Sequence, residues 1–158
     1  MNGGEISAIA SNHFHTRYCF GGVYSSDTVP ASPQFFPIFY IVNTDILKNR
    51  GKHWIFLFLP SAHEPIEWFD SLGFFPFHHS KKLHLYVTKN GSSPFLSNVE
   101  AVQSESSTAC GHFCLMMGDM RGRGLSYKKS VGMFEIKDLK NNDQMVRRFL
   151  EEHMAYQG

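Results

Sequence analysis

Residues 53–70, HWIFLFLPSAHEPIEWFD, contain the pattern that decides the fold. Within this stretch, residues 54–59 (WIFLFL) are apolar at every position and are followed by Pro60. A short run that is apolar on both faces and ends at a proline predicts a fully buried central strand. Residues 66–69 predict a second strand, which ends at Asp70.

The connection between these two strands is short, so we expect them to pair as antiparallel neighbours. In an antiparallel pair the start of one strand lies beside the end of the other. That arrangement brings His53, which precedes the first strand, next to Asp70, which follows the second. Taken singly, a surface histidine and a turn aspartate are the simpler interpretation. Taken together, they predict a histidine–carboxylate pair.

Weaker strand patterns lie on either side of this hairpin. Residues 35–42 are aromatic and β-branched apart from Pro37, which predicts a strand with the proline near its start or on an edge. Residues 83–87 alternate weakly, and residues 99–103 predict another short strand.

Two segments have helical periodicity. From Cys110 onward, apolar residues recur at i, i+3 and i+4, and Ser107 and Thr108 precede them as candidate caps. Residues 145–154 repeat the pattern, with Asp143 expected in the first turn of that helix. Strands and helices that do not alternate regularly predict an α+β fold, in which helices flank a central mixed β-sheet.

Composition is that of one globular domain covering residues 1–158, of which we expect residues 1–20 to be loosely ordered. Hydrophobic residues make up 42% of the chain and charged residues 18%, which excludes a disordered tail or a coiled coil. The net charge of +1 gives no reason to expect a nucleic-acid or membrane-surface protein.

The sequence also predicts no membrane partner and a reducing environment. The longest apolar run, residues 54–59, is far shorter than the roughly 20 residues that span a bilayer. The sequence has no basic segment followed by an apolar stretch, so it predicts no secretory signal. The three cysteines, an odd number, are therefore interpreted as thiols rather than as a disulfide framework.

Cys110 is the residue most suggestive of chemistry. A thiol in the first turn of a helix faces unpaired backbone N–H groups and the positive end of the helix dipole, and both favour the thiolate, which is the nucleophilic form. Buried packing is the alternative interpretation for Cys110, and it is the preferred one for Cys114, one turn further on.

Gln103 would complete a catalytic set. It precedes Cys110 by seven residues, and its amide could reach over the nucleophile. Acyl transfer by a cysteine requires an imidazole, here His53 oriented by Asp70, and hydrogen-bond donors where the oxyanion develops. The Gln103 amide and the Cys110 backbone N–H would supply those donors, although an ordinary surface glutamine is the alternative.

Two further clusters are assigned no function. His13, His15 and Cys19 fit no closed four-ligand metal site without distant partners such as His78 and His79, so we predict no metal. Residues 121–124 (RGRG) predict a flexible basic loop. With other lysines and arginines it could form a basic face, but a solvated surface is the preferred interpretation.

Four motifs occur in order along the chain: residues 42–44 and 53–54 (VNT and HW), 68–74 (WFDSLGF), 107–114 (STACGHFC), and 149–153 with Tyr156 (FLEEH and Y). Together they resemble the adenovirus maturation protease (adenain) family of cysteine peptidases, which belongs to the same clan as the ubiquitin-like-protein proteases. The resemblance extends from about Gly21 to Tyr156.

This resemblance implies a cysteine endopeptidase whose nucleophile lies at the N-terminus of a buried helix. It assigns catalysis to His53, Asp70, Gln103 and Cys110, with Trp54 and Gly111, which follow His53 and Cys110 in the chain, in substrate binding. The implied source is a virus or a virus-like element, and the implied task is the maturation of capsid or core proteins in the virion and the host cell nucleus. A monomer is expected.

The implied substrates are polypeptides containing Met/Ile/Leu-x-Gly-Gly or Met/Ile/Leu-x-Gly-x-Gly. Residues 1–4 (MNGG) and 120–124 (MRGRG) carry these patterns, which predicts slow self-cleavage after Gly4. Adenain is activated by a disulfide-linked capsid-protein peptide and by DNA. Here no cysteine lies between Asp70 and Cys110, and the net charge is small, so no cofactor is expected to be required and DNA binding should be weak or absent.

Two other functions remain open at this level. The same constellation serves isopeptidases that act on ubiquitin or ubiquitin-like proteins. A relative that has lost activity could act as a binding module. The short chain and the motif matches favour the endopeptidase over both.

Overall fold

The computed structural model describes residues 1–45, 53–90 and 94–154. In chain order the elements are α1 (Gly3–Asn12), β1 (Phe20–Ser25), β2 (Ile38–Asn43), β3 (Trp54–Leu59), β4 (Glu67–Phe69), α2 (Pro76–His79), α3 (Lys81–Asn90), β5 (Leu96–Ser97), α4 (Cys110–Gly122), α5 (Tyr127–Val131) and α6 (Leu139–His153). No helix within the described ranges is long and apolar enough to cross a membrane.

One five-stranded sheet organises the chain, with the strands in the order β1-β2-β3-β4-β5. The inner pairs β2–β3 and β3–β4 are antiparallel, whereas the outer pairs β1–β2 and β4–β5 are parallel. The prediction of an α+β fold with a mixed sheet is confirmed, and so is the antiparallel pairing of the two strands in residues 53–70.

The two faces of the sheet are covered by different helices. Along β2 and β3, Phe39, Ile41, Phe56 and Phe58 belong to a core that includes buried residues of α1, α4 and α6. The intervening residues of the same strands join Leu83 and Val87 of α3 in a second core. Both faces of β2 and β3 are therefore buried, because successive side chains point to opposite sides of the sheet.

Helix α4 is buried along nearly its whole length, and this fixes the position of its first residue, Cys110. Its axis lies close to the sheet at Gly118, where an added Cβ would come within 2.9 Å of the Phe39 ring. A side chain at this position would push the helix away from β2. The close approach lets α4 pack along the sheet with its first residue, Cys110, beside His53 at the start of β3.

Residues 1–20 are not loosely ordered, contrary to the prediction. They contain α1, which Asn2 caps by accepting a hydrogen bond from the Glu5 backbone N–H at 2.9 Å. Ile6 and Ala10, one helical turn apart, are fully buried in the core. Two buried residues at this spacing are too few to stand out in the sequence, yet they are enough to anchor a short helix.

Two predicted strands are also absent from the described residues. Residues 83–87 lie in helix α3, and no strand covers residues 99–103. The short strand in this region is β5, at Leu96–Ser97, which pairs with β4.

The helix ends differ in detail from the predictions. Ala109 is the N-cap of α4 without a side-chain hydrogen bond, and Ser107 Oγ instead accepts from the Ala109 backbone N–H at 3.1 Å. Helix α6 begins with Asp138 as its cap, so Asp143 lies in the second turn, where it pairs with Ser104.

The first two residues of the predicted basic loop at 121–124 are helical instead. Helix α4 continues to Gly122. The guanidinium of Arg121 forms a bidentate ion pair with the buried Glu67, at 2.7 and 2.9 Å. The Arg121 charge is therefore compensated inside the protein rather than presented to a partner.

Candidate active site

The hairpin of β3 and β4 brings His53 beside Asp70. Phe56 pairs with Phe69 in this antiparallel ladder, so the residue before β3 and the residue after β4 lie at the same end of the hairpin. His53 Nε2 is 2.6 Å from Asp70 Oδ1. The carboxylate can only accept a hydrogen bond, so His53 donates from Nε2 and its Nδ1 is directed elsewhere.

Asp70 is rigidly held by its surroundings. Its carboxylate is fully buried, and Oδ1 also accepts from the Leu72 backbone N–H at 2.8 Å. Asn98 binds the Asp70 backbone from both sides, accepting from its N–H at 3.0 Å and donating to its carbonyl at 2.7 Å. Gly73 closes the turn with φ +80°, where an added Cβ would lie 2.6 Å from the Ala101 nitrogen. Only glycine fits there.

A second histidine binds the same carboxylate. His79, the last residue of α2, has its Nε2 2.5 Å from Asp70 Oδ2. Sequence reasoning considered His79 only as a distant metal ligand, and no local pattern linked it to Asp70. Asn98 was missed as well, because its role depends on the chain returning through β5.

Cys110 begins α4 and lies beside His53. Burial alone would raise the pKa of its thiol, but hydrogen bonds from His53 and from the Trp54 and Gly111 backbones outweigh it, together with the charge of His53. The net effect is a pKa below the usual value for cysteine. Oriented N–H groups at the start of a helix are a known cause of such acidification.

The pKa of His53 is shifted in the opposite direction to that of Cys110. Burial by itself would lower the pKa of His53, but hydrogen bonds to Asp70 and Cys110 and their negative charges raise it to about 9. The raised pKa of the histidine and the lowered pKa of the cysteine both favour an imidazolium beside a thiolate. The pKa of Asp70 is lowered: burial opposes ionisation, but the hydrogen bonds from His53 and His79 prevail.

The other two thiols have the opposite character. Burial is the main cause in both: it raises the pKa of Cys19 to about 11 and that of Cys114 well above its ordinary value. The interpretation of Cys114 as a packing residue therefore fits its fully buried environment.

Gln103 lies in a loop rather than at the end of a strand. Its Oε1 accepts from Ser71 Oγ at 2.5 Å, and its Nε2 donates to the Ser107 carbonyl at 2.8 Å. These bonds orient a buried side chain that lines the same cleft as Cys110. An amide nitrogen carries two hydrogens, so the bond to Ser107 occupies one of them.

A cleft of about 830 Å³ opens over these residues. The cleft is lined by the N-terminal residues, the ends of β1 and β2, the start of β3, the turn after β4 and the segment from Gln103 to Cys110. The lining residues are Met1, Asn2, Gly3, Val23, Tyr24, Ser25, Thr28, Asn43, His53, Trp54, Leu72, Gln103, Glu105, Ser107, Thr108 and Cys110. Trp54 is part of this wall, and its indole N–H donates to the Met1 carbonyl at 3.2 Å. Gly111 is buried against Ile6, Met1 and Trp54, so only its backbone faces Cys110.

His53, Asp70 and His79 also place potential metal-binding atoms within 4.8 Å of one another. Ligand atoms bound to one zinc ion at about 2.0–2.2 Å in tetrahedral geometry are more than about 3 Å apart. The nitrogen–oxygen distances here are 2.5 and 2.6 Å, which are those of hydrogen bonds. We interpret this cluster as a hydrogen-bonded chain. His13, another of the candidate ligands, contacts Asp119 at 2.6 Å.

Comparison with known proteins identifies a similar fold but no matching family. No protein-family model matches the chain, and no curated protein matches it. Among solved structures, the chain is similar to the ASFV pS273R protease with a TM-score of 0.53 and 15% sequence identity. The match covers 94% of this chain and 66% of that protease, just under two thirds of its length. The chain thus has the fold of a known protease, with helix α4 and its buried first residue at the centre.

Proposed function

We propose that this chain is a cysteine endopeptidase in which Cys110 is the nucleophile. The observation that carries the proposal is the arrangement of Cys110 beside His53, whose ring the buried Asp70 carboxylate holds at 2.6 Å, in the wall of an open cleft. The fold shared with the ASFV pS273R protease supports the same conclusion. The combination of an acidified thiol, a paired imidazole and an orienting acid is what nucleophilic cysteine catalysis requires.

In the proposed reaction the Cys110 sulfur attacks the carbonyl carbon of the scissile peptide bond. His53, already protonated, then donates its proton to the leaving amine as the carbon–nitrogen bond breaks, leaving a thioester on Cys110. The neutral imidazole next removes a proton from water, which attacks the thioester and releases the acid. Asp70 keeps the ring oriented throughout and stabilises its positive charge.

The negative oxygen that develops in both steps needs donors. The backbone N–H of Cys110 is one of those that a helix leaves without an intrahelical partner, and it is the first candidate. The second is the remaining amide hydrogen of Gln103, whose orientation the bonds to Ser71 and Ser107 support. Trp54, on the cleft wall, would contact substrate, whereas for Gly111 we propose a backbone contribution to the thiolate.

The finer features of the function rest on the motif resemblance. We propose a viral or virus-like maturation enzyme of the adenain type, active in the virion and host nucleus on glycine-containing sites in capsid or core precursors. The cleft beside Cys110 supports a peptide substrate, and glycine's lack of a side chain suits a narrow passage next to a nucleophile. DNA and an activating peptide are not expected to be required.

The test is hydrolysis of a Leu-x-Gly-Gly-x peptide by the purified full-length chain, with and without DNA. Wild type and Cys114→Ala should cleave it, and Cys110→Ala should not, while all three have the same circular dichroism. Cleavage by Cys110→Ala at the wild-type rate would refute the proposal. A ubiquitin-type electrophilic probe is the second arm, and rapid labelling of Cys110 by it would favour an isopeptidase.

The sequence predicts slow self-cleavage after Gly4, but Gly4 belongs to α1 and Asn2 caps that helix. Cleavage at this bond would require the first turn to unwind. It would also remove Met1, whose carbonyl binds Trp54. We therefore propose that this bond is a poor substrate in the folded chain.

A further inference from the structure

The Asp70 carboxylate has two histidine partners, one on each oxygen. Oδ1 lies 2.6 Å from His53 Nε2, and Oδ2 lies 2.5 Å from His79 Nε2. The Asp70 side chain is completely shielded from solvent, whereas the two histidine side chains are each slightly exposed. Water therefore has little access to Oδ2, and His79 is its described hydrogen-bond partner.

The His79 ring is fixed by packing as well as by this bond. Its centroid is 6.2 Å from that of Trp68, and the Phe74 ring meets it edge-on at 5.7 Å. The His53 ring lies 5.5 Å away at a tilt of 38°. Short helix α2 thus presents His79 as a rigid donor toward the acid that orients His53.

A carboxylate accepts hydrogen bonds and cannot donate them, so both histidines must present an N–H to Asp70. The His79 donor favours the ionised acid and prevents the carboxylate from rotating about its Cβ–Cγ bond. Without that donor, Oδ2 would be buried and unsatisfied. Asp70 would then take up a proton or turn away from His53, and either change weakens its hold on the imidazolium.

We propose that His79 is a positioning residue of the active site, whose Nε2–H fixes the Asp70 carboxylate so that His53 stays protonated beside the Cys110 thiolate. This inference rests on the proposed function for its role in turnover. The titratable or charged groups around His79 are Asp70 at the end of β4, His53 before β3 and His78 in α2, with Cys110 of α4 beyond His53. The other ring contacts of His79, with Trp68 and Phe74, are uncharged.

The experiment measures the rate of Cys110 carbamidomethylation by iodoacetamide from about pH 4 to pH 10, a range that spans the titration of the thiolate and the imidazolium. This readout needs no peptide cleavage, so it separates failure of the inference from failure of the proposed function. His79→Phe retains an aromatic ring but removes the donor, and His79→Gln retains an N–H. His78→Phe is the matched control, since His78 is the exposed neighbour that stacks on Phe74.

We expect His79→Phe to shift the acid limb of the Cys110 alkylation rate to higher pH by about 1 pH unit, which is a roughly tenfold lower rate on that limb. Peptide kcat should fall by a similar factor with little change in KM. His79→Gln should recover most of the loss, and His78→Phe should match wild type. In an Asp70→Asn background, His79→Phe should have no further effect.

Three results would overturn the inference. One is a His79→Phe profile identical to wild type. Another is an equal effect of His79→Phe in the Asp70→Asn background, because His79 would then act by another route. The third applies even if the variants fail to fold: ¹⁵N spectra of wild type showing His79 Nε2 without its proton at neutral pH.

Discussion

At the scale of single residues, the three cysteines show how strongly environment controls a thiol. Cys110 is 7% exposed and receives hydrogen bonds from His53 and from two backbone N–H groups. Cys19 and Cys114 are more deeply buried and have raised pKa values. The same side chain therefore has a lowered pKa in one position and a raised pKa in the other two.

This difference predicts selective alkylation. At neutral pH, iodoacetamide should modify Cys110 at least about tenfold faster than Cys19. The pKa of Cys110 lies below 9.0 and that of Cys19 is about 11, so the thiolate fractions differ by more than about 100-fold, and the lower intrinsic nucleophilicity of an acidic thiol offsets part of this difference. Peptide mapping by mass spectrometry measures the three rates. Cys110→Ala should lack the fast reaction. Equal rates at all three cysteines would show that Cys110 is not acidified.

Asp70 provides the second prediction at this scale. Asp70→Asn removes the charge that keeps the pKa of His53 near 9. The high-pH limb of kcat/KM should then move down toward the ordinary histidine value of about 6.5, and kcat should fall roughly 10- to 100-fold. Asp138→Asn is the control, since either residue can cap α6. An unchanged high-pH limb would remove Asp70 from the mechanism.

At the scale of secondary-structure elements, the end of α4 is tied to the sheet by an ion pair. Arg121 binds both oxygens of Glu67, donates to the Leu125 carbonyl at 2.6 Å and lies 4.2 Å from the centre of the Phe58 ring. Arg123, two residues on, contacts Asp119 but is 39% exposed. The two arginines thus differ in burial although the sequence presents them as equivalent.

We expect Arg121→Ala to lower the free energy of unfolding by about 3–5 kcal/mol, because it leaves a buried carboxylate without its partner. Arg123→Ala should cost no more than about 1 kcal/mol, since its pair is partly solvated. Urea unfolding of the two variants measures both values. Similar losses for both would mean that the Arg121–Glu67 pair is not the anchor of α4.

The elements also show where prediction from sequence works. Residues 54–59 were predicted correctly because every position is apolar, a pattern that suits a strand buried on both faces. Residues 83–87 fit both a strand, through 83, 85 and 87, and a helix, through 83 and 87 alone. Leu85 is 50% exposed whereas Leu83 and Val87 are buried, which is the helical solution. Only packing against the sheet decides between the two.

The candidate site was predictable to the same extent. His53 and Asp70 flank the hairpin, so local pairing was enough to bring them together. His79 and Asn98 reach Asp70 from α2 and from the segment after β5, and that convergence depends on the course of the chain through residues 76–98. Helix α1 escaped prediction for a similar reason, since its two buried residues gain their significance from α4 and the sheet.

At the scale of the whole molecule, the ionisable groups of the core determine how stability depends on pH. The pKa of His53 is raised, so its contribution is complete below about pH 6.5 and is lost as pH rises through about 9. The pKa of Cys110 is lowered, so its contribution to stability increases as pH rises over the same alkaline range. The two partly cancel on the alkaline side, so the acid side provides the better test.

On the acid side the decisive group is His112 in α4. Burial lowers its pKa to about 4, with help from the charges of Arg147 and the N-terminal amine. Because the folded state favours the neutral ring, the contribution of His112 is complete above about pH 6.5 and is lost as pH falls through about 4. Asp70 loses its contribution only at lower pH, since its pKa lies below the ordinary value of 3.8.

We therefore expect wild type to lose roughly 2–3 kcal/mol of unfolding free energy between pH 7 and pH 4 through His112 alone. His112→Phe should have a flatter profile over this range, whatever its stability at pH 7, because the group that takes up a proton on unfolding is gone. His153→Phe, at the exposed end of α6, is the control for removing a histidine. Urea unfolding at intervals of half a pH unit measures the slopes. Parallel profiles for wild type and His112→Phe would mean that His112 is charged in the folded protein, and the acid sensitivity would have to arise elsewhere in the core.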